Sequence, residues 1–186
     1  MNLTVIVTTM PERAQLLTRC LWHLENQSIT DFEVIVAHGK RPKGDKVMRA
    51  LPLVDTSHVM FVDDDDWVST RLVETVLPFE EDFVGYDALQ MIDGIFSTVI
   101  YQEVASHICP IRTDLARQVE FRNHYLADIE WTKQVAQLVG SSSYVGDVLY
   151  FYDKWNPSQW TVESGAWSPP RSVGYWPVDK AKFRWI

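Results

Sequence analysis

The sequence predicts an α/β domain with a mostly parallel central sheet and a β-hairpin insertion. Over the first eighty residues, short β-branched apolar runs alternate with segments whose apolar residues recur at helical spacing. That alternation is the pattern of right-handed strand–helix–strand crossovers. Two further runs, Tyr86 to Ile92 and Ile95 to Tyr101, flank Asp93-Gly94, a two-residue hairpin signal. At 186 residues, 46% apolar and 23% charged, the chain has the size and composition of one globular domain.

Leu3 to Val7 reads as a strand buried on both faces. Thr9 or Met10 then caps a helix, with Pro11 suited to its first turn and Glu12 to the positive end of its dipole. Leu16, Leu17, Cys20, Leu21 and Leu24 supply the apolar face. Phe32 to Ala37 is the second strand, broken by Gly39, and a short helix follows from Asp45 to Leu51. The third strand, His58 to Val62, ends at Asp63-Asp64-Asp65-Asp66, with helix expected from Trp67 to Leu77. After the hairpin, Arg112 to Val119 and Asp128 to Val139 read as helices and Tyr144 to Tyr152 as a late strand. From residue 156 the chain is expected to be irregular, with Pro169-Pro170 and Pro177, packed on a domain of residues 1–155.

The net charge of −8 is unevenly placed. Between Asp63 and Asp93, ten acidic side chains face one base, Arg71. Lys40, Arg41, Lys43, Lys46 and Arg49 reverse the balance upstream, and Arg171, Lys180, Lys182 and Arg184 do so near the end. Such a chain is no generic polyanion binder, yet it has bases enough to hold a phosphate at one place. No apolar run approaches the ~20 residues of a membrane span. Met1 leads into a strand without the features of a secretory signal. Two cysteines make no disulfide framework, and the expected setting is cytoplasmic.

Four aspartates after a buried strand repel one another and raise one another's pKa unless something offsets them. A hard divalent cation, Mg²⁺ or Mn²⁺, would do so through carboxylate oxygens. The carboxyl end of a strand in a parallel sheet is also where ligands bind. The plainer alternative is an acidic turn in which Asp66 caps the helix expected at Trp67.

Phe61-Val62-Asp63-Asp64-Asp65-Asp66-Trp67 resembles the DXD region, "FLDxDDW", of GT-A glycosyltransferases of the family 2 type. The segments Val5 to Arg13, Leu24 to Ser28 and Asp31 to Val36 resemble that family's opening strand, helix end and second strand. Together they cover about half the chain, in order. The resemblance implies a three-layer α/β/α GT-A fold that binds a nucleoside-diphosphate-sugar, a UDP-sugar above all, with Mn²⁺ or Mg²⁺. It places Thr8, Thr9, Arg13 and Asp64 near the donor and gives the metal to Asp63, Asp65 and Asp66, chiefly to Asp65, with Asp63 touching ribose or metal-bound water and Asp66 close by. Lys43, Lys46 and Arg49 become candidates for the phosphates, or else a solvated helix face. The family commonly ends its second strand with an aspartate that reads uracil. Here Ala37-His38-Gly39-Lys40 stands instead, leaving His38 to meet a base or to serve as a polar turn residue.

Leu126-Ala127-Asp128-Ile129-Glu130-Trp131 resembles the family's "EDxxW", whose aspartate is the general base of inverting members. Asp128 matches that base, with Glu130 in reserve, and helix capping is the alternative role for Asp128. The late histidine that many members add as a metal ligand has no counterpart after His124. The implied reaction moves a sugar to an acceptor hydroxyl on a glycan, lipid, protein, metabolite or hydroxymethylated DNA base. Overall acidity weighs against DNA. Two rivals remain in view: a sugar-phosphate nucleotidyltransferase, which lacks here its Gly-rich basic loop, and a non-catalytic sugar- or cation-binding module.

Overall fold

The computed structural model describes residues 1–92, 95–124, 126–154 and 176–186. Strands β1 (Leu3–Thr9), β2 (Glu33–His38) and β3 (His58–Asp63) alternate with helices α1 (Ala14–Glu25) and α2 (Lys43–Ala50). β1 is buried along its whole length and pairs in parallel with both β2 and β3, Val5 opposing Val34 and Met60. Its β-branched run thus lies inside the sheet with a strand on either side, as the unbroken apolar pattern implies. The strand continues two residues beyond the expected Val7 because the Thr8 and Thr9 hydroxyls find carboxylate acceptors on the aspartate run.

Pro11–Arg13 form a 3₁₀ turn before α1, and the expected apolar residues of that helix are buried. Arg19 is buried among them. Gln27, just past the helix, donates to the Ser69 carbonyl at 2.8 Å and accepts from the Val73 amide at 3.0 Å. These bonds fasten α1 to the chain beyond the aspartates.

The expected helix from Trp67 does not form as such. Trp67–Val68 are β4, antiparallel to the late strand β8 (Ser142–Lys154), and only Leu72–Val76 are helical, as α3. Trp67 stacks on Phe151 at 5.5 Å, so cross-strand packing overrides local helix preference. Asp66 therefore caps no helix. β5 (Phe83–Ile92) and β6 (Ile95–Tyr101) pair antiparallel as the hairpin pattern implies, with Ile92 opposite Ile95. The Asp93-Gly94 turn lies outside the described residues.

Arg112, expected to open a helix, instead ends β7 (Ile111–Arg112), which bridges β3 and β5, and the helix shortens to α4 (Thr113–Ala116). α5 spans Ala127–Ala136. The sheet order is β4-β8-β5-β7-β3-β1-β2-β9, with β6 beside β5, and most paired positions are parallel. β9 (Arg184–Trp185) pairs in parallel with β2, so this part of the expected irregular tail extends the sheet. The boundary at residue 156 and Pro169-Pro170 lie outside the described residues. Among the described residues, no helix is long and apolar enough to cross a membrane.

Candidate functional site

β1 and β3 run in parallel, so their carboxyl ends lie side by side, with Thr8 opposite Asp63. The aspartates turn sharply there, the Asp66 amide donating to the Asp63 carbonyl at 3.0 Å. The turn sends the four side chains in different directions.

Asp63 accepts from Lys43 Nζ at 2.7 Å and from Thr8 Oγ1 at 3.3 Å. Burial pushes its pKa up, but Lys43, His107 and Arg13 bring it below the ordinary carboxylate range. Asp64 is wholly buried, accepting from Thr9 Oγ1 at 2.7 Å with Arg13 Nη1 3.0 Å away. Burial, then its neighbours Asp65 and Asp63, push it up to about 7 against the pull of Arg13 and Thr9. Asp65 pairs with Arg13 Nη2, and its main-chain carbonyl accepts from Arg19 Nη2. Asp66 turns inward to β8, where Tyr150 donates to Oδ2 at 2.6 Å and the Asp153 amide to Oδ1 at 2.9 Å. Burial, with Asp65 and Asp63, raises its pKa well above the ordinary range. Arg13, Lys43 and hydrogen bonds thus offset the repulsion expected of this run fully at Asp63 alone, while burial and the neighbouring carboxylates keep Asp64, Asp65 and Asp66 above the ordinary range.

α2 brings Lys43 to Asp63 because its first turn approaches residues 121–123 closely. A Cβ on Gly44 would collide with the Phe121 and Arg122 carbonyls. Asn123 Oδ1 accepts from the Asp45 amide at 3.0 Å and holds the same contact. Lys46 instead points inward, donating to the Thr9 carbonyl at 2.9 Å. Burial, with repulsion from Arg13 and Lys43, lowers its pKa.

On the far side, Leu126 takes a left-handed φ of 73° and starts α5. The conformation is costly for a residue with a Cβ and is often seen at functional sites. Asp128 sits in the first turn of α5, half-buried, and accepts from the Ile129 amide at 2.9 Å. Glu130 is paired with Arg122 at 2.9 Å and His124 at 2.7 Å.

Arg13, Lys43, Asp63, Phe121, Asp128 and Tyr152 line one cleft of about 740 Å³. That is the size of an ordinary small-molecule site. The structure therefore brings together Arg13, Lys43, Asp63 and Asp128. Thr8, Thr9, Asp64 and Lys46 lie beneath them as support, while Asp66 and Glu130 face elsewhere. His38 is exposed at the end of β2, its ring 6.5 Å from Trp185, beside a separate hollow lined also by Lys180 and Ile186.

Two residues of the site, Arg19 and Tyr152, were not singled out by the sequence reading. Arg19 donates to Asp153 at 3.1 Å and lies 4.2 Å over the Trp67 ring, fixing the turn from below. Its signal was a charge on the apolar face of α1, between Leu16 and Cys20. His107 stands close to Lys43, Asp63 and Asp128, and burial, then Lys43, lowers its pKa to about 4. Tyr152 carries its hydroxyl among the carboxylates, where burial, then Asp66 and its neighbours, raise its pKa to about 12.

Among the described residues, no three His, Cys, Asp or Glu side chains converge to hold a metal on their own. Asp63 and Asp65 are both partly exposed and offer the oxygen donors that a hard cation takes, but only Asp63 lines the cleft, and a diphosphate and water would have to complete the shell.

No known family model matches the chain, and no curated protein matches it in sequence. Solved structures do match in fold. Residues 1–349 of S. aureus TarS in complex with UDP align with a TM-score of 0.72 at 19% identity, over 84% of this chain and 61% of that one. The same fragment with UDP-GlcNAc gives 0.70 at 19%, over 83% and 59%. The mannosyltransferase PcManGT from Pyrobaculum calidifontis, in complex with GDP-Man and Mn²⁺, gives 0.57 at 15%, over 80% and 56%. The chain spans less than two thirds of the length of each. The fold is of the GT-A type that the motifs resemble.

Proposed function

We propose that this GT-A-fold chain is a metal-dependent glycosyltransferase that moves a sugar from a nucleoside-diphosphate donor to an acceptor hydroxyl. One observation carries the reading: a single cleft presents three cations, Arg13, Lys43 and Arg122, and two carboxylates, Asp63 and Asp128. The cations suit a diphosphate, Arg13 through a two-pronged guanidinium and Lys43 as a point charge. Asp63 and Asp65 would hold Mn²⁺ or Mg²⁺, which in such sites offsets the charge of a departing diphosphate. Asp66 has no part in that set on this reading, because β8 engages both its oxygens.

Asp128 acts as general base. It accepts the proton of the acceptor hydroxyl as that oxygen bonds to the anomeric carbon, while the bond from that carbon to the phosphate oxygen breaks. The nucleoside diphosphate leaves on the opposite face, so the product is inverted. Glu130 is not proposed as base, since it does not line the cleft and its carboxylate is paired with Arg122 and His124. A UDP-sugar is the expected donor. A reducing, cytoplasmic setting fits the two buried free cysteines, Cys20 and Cys109.

The test is a panel of nucleoside-diphosphate sugars, UDP-GlcNAc and GDP-mannose among them, assayed for turnover and thermal stabilisation with Mn²⁺ and with chelator. Release of nucleoside diphosphate that depends on Mn²⁺ supports the reading. Pyrophosphate release from a nucleoside triphosphate, or no response to any donor, overturns it.

A further inference from the structure

The guanidinium of Arg13 lies across Asp64 and Asp65, the second of which a cation would need. Nη1 is 3.0 Å from Asp64 Oδ1, and Nη2 pairs with Asp65 Oδ2. Lys43 sits in the same way on Asp63, at 2.7 Å. Both carboxylates proposed for the metal, Asp63 and Asp65, are thus already matched by a protein cation. Asp64 is wholly buried, whereas Arg13 is 24% exposed and lines the cleft, so the guanidinium is the partner free to move.

A divalent ion arriving alone must displace this guanidinium and leave it without an anion in a half-buried place. That cost is of the kind paid when one member of an ion pair is removed. A diphosphate in the cleft changes the balance, because phosphate accepts two parallel hydrogen bonds from arginine as a carboxylate does. We propose that Arg13 is a positioning residue that keeps the cation seat closed until a diphosphate draws its guanidinium off Asp64 and Asp65, so that cation and diphosphate bind together. The proposal rests on the diphosphate-donor reading above. It makes the two affinities reciprocal, each ligand strengthening the other by the same factor.

The experiment is titration of Mn²⁺ followed by the electron paramagnetic resonance of the free ion, which needs no turnover. Wild type, Arg13→Met and Arg13→Lys are compared without ligand, with UDP and with inorganic pyrophosphate, their folds checked by circular dichroism. Wild type should bind Mn²⁺ about tenfold or more tightly when either diphosphate is present. Arg13→Met should bind Mn²⁺ about tenfold more tightly than wild type with no ligand, and gain little from diphosphate. Arg13→Lys keeps the charge but cannot span two carboxylates, so it should lie between. Ligand-free Mn²⁺ affinity no higher in Arg13→Met than in wild type overturns the proposal. Should that variant not fold, Arg13→Lys indistinguishable from wild type overturns it equally. Coupling to UDP without coupling to pyrophosphate removes the diphosphate as the trigger. Absence of Mn²⁺ binding in all three proteins, with UDP or pyrophosphate present, sinks the donor reading itself.

Discussion

The Phe61 ring meets the Trp131 indole edge to face, their centroids 5.2 Å apart. Side chains two apart on a strand share a face, and those three apart on a helix lie one turn apart on one side. Asp63 is therefore carried on the Phe61 face of β3, and Asp128 on the Trp131 side of α5. Packing two aromatic rings brings the two carboxylates to one cleft. Trp131→Ala, at a site 1% exposed, should cost about 3–5 kcal/mol. Trp131→Phe keeps the ring stack but loses the hydrogen bond to the Val119 carbonyl, at 3.2 Å. Urea melts should place its cost near 1 kcal/mol. Its kcat should fall more than its KM for donor rises, because the displaced group is Asp128.

On the proposed reading, the neighbours Asp65 and Asp66 have opposite duties. Asp66→Ala leaves the Tyr150 hydroxyl and the Asp153 amide buried without their acceptor, a loss of about 2–4 kcal/mol. At the size of this chain, that lowers Tm by roughly 5–15 °C. Asp65→Ala removes a side chain 27% exposed and should leave Tm within about 2 °C of wild type. The same change should abolish stabilisation by Mn²⁺ with UDP. Differential scanning fluorimetry on both variants measures both effects, and equal losses of Tm would contradict the division.

The outline of the fold was legible because β1, α1, β2 and β3 each carry an unbroken period of burial. β4 and β7 were not, since two-residue strands such as Trp67–Val68 are set by their partner, here Phe151 and Tyr150, and leave no period of their own. Asp63 and Asp128 could be read from motifs. The direction of Asp66 could not, because a turn after a strand sends successive side chains to unrelated sides, and its partner Tyr150 lies 84 residues away. Arg19 was hidden for a related reason: its counter-charge, Asp153, is 134 residues distant and on the far strand.

Asp128→Asn isolates the proton transfer. The amide keeps an oxygen for the Ile129 N–H, so the first turn of α5 should stand and the melting curve should not move. What is lost is the ability to take a proton, worth about 10²–10⁴ in kcat. KM for donor should change less than about threefold, as the residue faces the acceptor on this reading. A drop confined to KM would assign Asp128 to donor binding instead.

His23 gives the fold a dependence on acid. Burial, then the Arg19 charge one turn earlier, lower its pKa from 6.5 to about 4, against a backbone hydrogen bond to Val68. Its Nδ1 is buried with no hydrogen-bond partner among the described residues, so a second proton there has nothing to meet. Between pH 6.5 and about 4 the unfolded chain therefore holds a proton that the folded chain refuses. Unfolded protein binding more protons means that stability rises with pH across this window and is lost as pH falls through it. The full difference corresponds to about 3 kcal/mol. His23→Phe keeps a ring against Trp22, whose centroid is 5.1 Å from that of His23, and removes the titration. Denaturant melts at pH 7 and pH 4.5 should show wild type losing about 2 kcal/mol more than this variant. Parallel losses in the two proteins would mean that His23 takes its proton in the folded state as readily as in the unfolded one.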